Sequence, residues 1–191
     1  MTARTHDAFA FASLVTIATF MPPQNLNLLT LAVAIVANIV GALIPDMDQA
    51  GNRLWDLLPA GDTLGKVFRR IFYKHRTLSH SFLGAFIIFK FLEFILPKVL
   101  NEQFVNPEII LWSIMIGYFS HLIADALTKD GLPLFFPFTV DIGFPPIRAL
   151  RVTTGKWVEN YVVLPSVAVY IMWFIYTHQT QLVEILRNIK V

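Results

Sequence analysis

Nineteen consecutive residues, Leu26 to Ile44, carry no ionisable side chain. Coiled as a helix they would rise roughly 28 Å, close to the roughly 30 Å hydrocarbon core of a bilayer. Four more apolar stretches follow: Asp7 to Met21, Leu78 to Leu96, Glu108 to Leu127 and Val158 to Tyr176. None alternates apolar with polar residues, so they read as helices rather than strands. The first is shorter than the others and would tilt or lie partly in the interface. The expected architecture is all-α. It is one membrane-embedded domain over residues 1–191, a polytopic helical bundle of about five spans.

Composition agrees with lipid as the solvent. Hydrophobic residues make up 55% of the chain and charged residues 15%, whereas a soluble domain is about a quarter charged. The segment Ala8 to Met21 is followed by no small-residue cleavage site, so it reads as retained structure rather than a signal peptide. A net charge of +2 gives no reason to expect nucleic acid as a partner. There is no cysteine, which excludes disulfides and thiolate ligands. Any metal site must therefore use His, Asp and Glu.

Prolines punctuate the spans. Pro22-Pro23 permits only a tight turn between the first two, Pro97 ends the third, and Pro107 precedes the fourth. Two longer connections remain. Pro45 to Thr77 contains the basic and aromatic segment Lys66 to Lys74, which reads as an amphipathic helix lying in the headgroup region between spans two and three. Thr128 to Trp157 carries four prolines and is expected to be irregular, with Phe135, Phe136 and Phe138 near the interface.

Five spans place the N-terminus and both long connections on one side. That side holds eleven lysines and arginines, and the other holds three. The positive-inside rule makes the basic side cytoplasmic. The expected location is the cytoplasmic (inner) membrane of a bacterium or archaeon.

The histidines and acids gather at that same face. His6 and Asp7 open the first span, and Asp46 and Asp48 close the second. His75, Arg76 and His80 open the third, His121 and Asp125 close the fourth, and Glu159 opens the fifth. Taken singly these residues have plainer readings. His121 and Asp125, four apart on one helix face, can cap a helix, and His75 can simply be solvated. Asp46 and Asp48 are harder to explain that way, because acids at a helix C-terminus oppose the macrodipole. Ionisable groups from several spans at one membrane depth are costly and tend to be functional.

A His/Asp set without cysteine suits zinc, or else manganese, magnesium or iron, as one or two ions. Such an ion turns bound water into a nucleophile near neutral pH, and ion pairs about 4 Å apart serve phosphoester hydrolysis. The expected metal ligands are His6, Asp46, Asp48, His80, His121 and Asp125. His75 is expected as a further ligand or a partner that supports one, Glu159 as a general base or ligand, and Arg76 as a bidentate phosphate contact.

Several short motifs recur in order in one known family. They are Thr5-His6, Pro45-Asp46-Met47-Asp48, His75-Arg76 with Ser79-His80-Ser81, and Gly117-Tyr118 with Ser120-His121, Asp125 and Thr128. Gly131-Leu132-Pro133-Leu134 and a Glu159 after Thr154-Gly155 add to them. Over nearly its whole length the chain resembles the YdjM-like family of LexA-binding, inner-membrane-associated, metal-dependent hydrolases. The resemblance implies a metal-dependent hydrolase in the inner membrane and a link to LexA. The site's place beside the headgroups makes a phospholipid or another amphiphilic phosphoester the expected substrate. The alternative is a non-enzymatic membrane scaffold or regulator, with a closed structural metal site, that recruits a soluble protein partner. A metal transporter ranks third, because its charged residues would sit near mid-membrane.

Overall fold

The structure, a computed structural model, describes residues 1–47, 53–56, 63, 78–138 and 140–189. Among these residues every regular element is a helix and no strand occurs. The expected interfacial helix over Lys66 to Lys74 lies outside them, as do Asp48, His75 and Arg76.

Local chemistry sets the helix ends. Helix α1 (Ala3–Phe20) stops at Met21, where Pro22 disfavours further helix. Helix α2 (Leu28–Leu43) is capped by Asn27, whose side chain accepts from the Thr30 amide at 2.7 Å. A 3₁₀ turn, Leu78–His80, precedes α3 (Phe82–Val99), whose cap Ser81 accepts from the Gly84 amide at 3.1 Å. Helix α4 (Pro107–Ala126) has Pro107 in its first turn and Asn106 as its cap. A π-helical turn, Glu159–Val163, leads into α5 (Leu164–Thr177), and α6 (Gln179–Arg187) follows.

Helix α4 is the hub, touched by α1, α2 and α3, with α2 packed against it most extensively. Two glycines make that contact close. A Cβ on Gly41 would collide with the Ile114 carbonyl, and one on Gly117 with the Asn38 carbonyl. Small residues let helix backbones approach where lipid supplies no hydrophobic drive. Alongside them the buried Asn38 amide donates to the Ser113 carbonyl at 3.1 Å. The Thr128–Trp157 connection is irregular, as its prolines require. It is pinned by single bridges between Thr128 and Val152 and between Leu132 and Ile142. It closes against the end of α4, where the Phe144 amide donates to the Ala126 carbonyl.

The expected bundle of about five spans, the first of them short, is met only in part. Among the described residues two helices are long and apolar enough to cross a bilayer, Pro107–Ala126 and Glu159–Thr177. Helix α2 is apolar but only 16 residues long, a rise of about 24 Å. Helix α3 has 18 residues but includes Lys90, Glu93 and Lys98. Helix α1 starts four residues before its apolar stretch, so Arg4, His6 and Asp7 belong to its first turns. Hydropathy marks where apolar residues lie, whereas capping and proline decide where helices begin and end.

Candidate metal centre

Five of the expected ligands converge. His6 comes from the first turns of α1, and Asp46 from the turn after α2. His80 comes from the 3₁₀ turn before α3, and His121 and Asp125 from the last turns of α4. His6 Nε2 lies 3.3 Å from Asp125 Oδ1. His80 Nε2 lies 3.4 Å from Asp46 Oδ1 and 3.8 Å from Asp125 Oδ2. His121 Nε2 lies 3.8 Å from Asp46 Oδ1 and 3.6 Å from Asp125 Oδ2. The imidazole of His6 stacks on that of His121 at 3.8 Å. Asp125 Oδ1 also accepts from the Met1 ammonium.

Two overlapping sets, His6 with Asp46 and His121, and His80 with His121 and Asp125, have ligand atoms mutually within 4.8 Å. Ligands held about 2.0–2.1 Å from one tetrahedral ion stand roughly 3.3 Å apart. The observed separations therefore need only small adjustment to close on a cation.

The groups around the ligands aim them. His121 Nδ1 lies 2.7 Å from the Ala42 carbonyl, which only accepts, so Nδ1 carries the proton and Nε2 turns its lone pair inward. His80 Nδ1 pairs with Ser79 Oγ at 3.1 Å, which leaves His80 Nε2 facing the same carboxylates. Both nitrogens of His6 and Nε2 of His121 are buried and make no geometrically sound hydrogen bond. Such groups are uncommon in a folded protein and ask for a partner.

Ionised carboxylates and neutral imidazoles are the forms that bind metal, so the donor set of this cluster suits a divalent cation.

Glu159 is in neither set. Its Oε1 accepts from the Thr2 amide at 2.6 Å, Thr2 Oγ1 at 2.9 Å and Thr5 Oγ1 at 2.7 Å. Its Oε2 accepts from the Gly155 amide at 2.6 Å. The fully buried carboxylate thus ties the start of the fifth helical segment to the first turn of α1, beside His6.

Sequence reasoning did not single out Tyr118. It is fully buried one turn before His121, and its hydroxyl donates to the Ser79 carbonyl, the residue before His80. The only sequence signal was its place in the Gly117-Tyr118 motif. Tyr118→Phe should fold and keep its helices but bind metal about tenfold more weakly, as loss of a group supporting a ligand does. Metal titration followed by competition with a chelator checks this.

The family model described as YdjM inner membrane protein matches residues 1–183. The chain is 34% identical over 123 residues to the uncharacterized protein YvsG of Bacillus subtilis, covering 64% of this chain and 66% of YvsG. It is 32% identical over 104 residues to the inner membrane protein YdjM of Escherichia coli, covering 52% of this chain and 46% of that protein. YdjM of Shigella flexneri matches to the same extent. The chain spans less than two thirds of the length of these curated relatives. No solved structure matches it.

Proposed function

Because the chain belongs to the family of YdjM inner membrane proteins, we propose that it works in the bilayer as a metal-dependent hydrolase. Its substrate is a phospholipid or another amphiphilic phosphoester, cleaved at the cytoplasmic lipid–water boundary. One observation carries this reading: three imidazoles and two carboxylates from four separate segments meet in one buried cluster. Zinc first, or manganese, magnesium or iron, as one or two ions, would lower the pKa of bound water to about 7 and supply hydroxide there.

The chain's own residues do the rest. His6, Asp46, His80, His121 and Asp125 hold the ion. The Ala42 carbonyl keeps His121 Nε2 pointing inward. Asp46, 25% exposed where Asp125 is 1% exposed, forms the open edge through which water and a phosphoester reach the cluster. Glu159, with both oxygens taken by donors, positions α1 and His6 rather than moving a proton. Asp48 completes the ligand set, His75 supports it, and Arg76 holds the phosphate with its planar fork. All five helical segments cross the membrane, the shorter ones with their flanking turns. The excess of lysine and arginine puts the cluster on the cytoplasmic side.

A second reading has one observation in its favour. His80 is 0% exposed and His121 1%, as in a closed structural site, which would suit a scaffold or regulator recruiting a soluble partner.

The two readings separate in one assay. The purified protein is placed in nanodiscs of phosphatidylethanolamine and phosphatidylglycerol, and phosphoester cleavage is followed with chelator and after zinc or manganese is restored. The hydrolase reading expects activity to fall at least 100-fold with chelator and to return with metal. A metal-loaded, folded protein that cleaves nothing overturns it in favour of the closed site.

A further inference from the structure

An apolar groove of about 580 Å³ runs between α1 and the fifth helical segment. Its α1 wall is the stripe Phe9, Ser13 and Ile17, and its opposite wall includes Val163 and Tyr170. Spacings of four and of seven place each set on one helix face. The eight steps from Phe9 to Ile17 give it a length of about 12 Å.

Its near end adjoins the metal centre through α1 and the fifth helical segment. Phe9 is three residues beyond His6, and Val163 is four beyond Glu159, whose carboxylate binds Thr5. The hydroxyls of Thr16 and Tyr170 inside it are already satisfied. Thr16 donates to the Ala12 carbonyl at 2.7 Å and pairs with Tyr170 at 2.8 Å across the two helices. A peptide segment would find few polar partners there. The flanking residues Tyr161 and Val169 are exposed, on a 19-residue apolar segment fit to stand in a bilayer. The medium that meets the groove is therefore hydrocarbon.

We propose that this groove seats one hydrocarbon chain of a membrane lipid whose polar head lies at the His/Asp cluster. The seat rests on the reading of that cluster as a headgroup-facing hydrolytic site, and it names what selects the substrate: a chain running down α1 from the cluster. Amphiphiles would be cleaved and short-chain phosphoesters would not be held.

The test uses the full chain in vesicles of phosphatidylethanolamine and phosphatidylglycerol doped with a phosphatidylglycerol carrying a mid-chain diazirine. After illumination, adducts are mapped by mass spectrometry. The expected result is adducts on Phe9, Ser13 and Val163 at least fivefold above those on Tyr161 and Val169, exposed residues of matching depth outside the groove. Ser13→Trp with Ser166→Trp, which fills the groove from its opposite wall, should abolish the enrichment while bound metal per chain stays unchanged. Equal adducts inside and outside the groove in the wild-type protein overturn the proposal, whatever the double variant does. So does crosslinking of Phe9 or Val163 to a second copy of the chain. Because the mapping needs no turnover, failure of the hydrolase reading is seen separately, as enriched groove adducts on a protein that cleaves nothing.

Discussion

Replacing His121 with alanine should strip the protein of its metal and of any metal-dependent cleavage while the helical bundle survives. His121 is the one residue shared by both ligand sets, and it touches Asp46, Asp125 and the ring of His6. Removing it takes an inward-facing nitrogen from each set and leaves the Ala42 carbonyl without its donor. Loss of a group that merely supports a ligand costs about 10- to 100-fold in affinity, so loss of this ligand should exceed about 100-fold. Metal analysis after size-exclusion chromatography, with circular dichroism to confirm helix content, reads the effect. A folded His121→Ala protein with wild-type metal content would remove the cluster from the account.

Gly117→Leu should be the most damaging change away from the cluster. Even a Cβ at this position meets the Asn38 carbonyl and lies 2.9 Å from the Ala42 amide nitrogen, so the larger side chain must push α2 from α4. Overpacking of this kind costs about 1–3 kcal/mol, occasionally more. At 150–250 residues that corresponds to a fall in Tm of roughly 2–12 °C. Metal should be lost too, because Asp46 follows α2 while His121 and Asp125 sit on α4, and the packing of these helices sets their separation. The comparison is thermal unfolding in detergent beside metal content, with Val169→Leu, an exposed position on α5, as a mild control. Unchanged Tm and metal content would show that the glycine contact does not hold the two helices in register.

The cluster was legible in the sequence because its acids and histidines stand at or beside the ends of successive apolar stretches. Where consecutive helices pack side by side, alternate ends return to one place. His6, Asp46, His80, His121 and Asp125 follow from that logic. The role of Glu159 does not, since its partners Thr2 and Thr5 are more than 150 residues away in the chain and carry no ionisable group to draw notice. Tyr118 was hidden for a related reason. Within an apolar helix a tyrosine reads as core, and its hydroxyl finds the Ser79 carbonyl only once α4 and the 3₁₀ turn are packed.

Helix lengths were misjudged where polar first turns extend an apolar run, as Ala3–Asp7 does in α1, or where a cap starts the helix late, as Asn27 does in α2. Helix α6 escaped notice because its apolar residues share only one face and form no continuous run. The groove beside the cluster is a property of helix packing, which no single stretch of sequence encodes.

The most direct test of the central claim is the metal content of the purified chain, combined with anomalous scattering or X-ray absorption to identify the ligands. The account predicts one or two divalent ions per chain, coordinated by histidine nitrogen and carboxylate oxygen and lost together in His121→Ala. A folded, monodisperse protein that binds less than about a tenth of an equivalent under saturating zinc, manganese, magnesium or iron would contradict it, since a functional metal site is occupied at far lower concentrations.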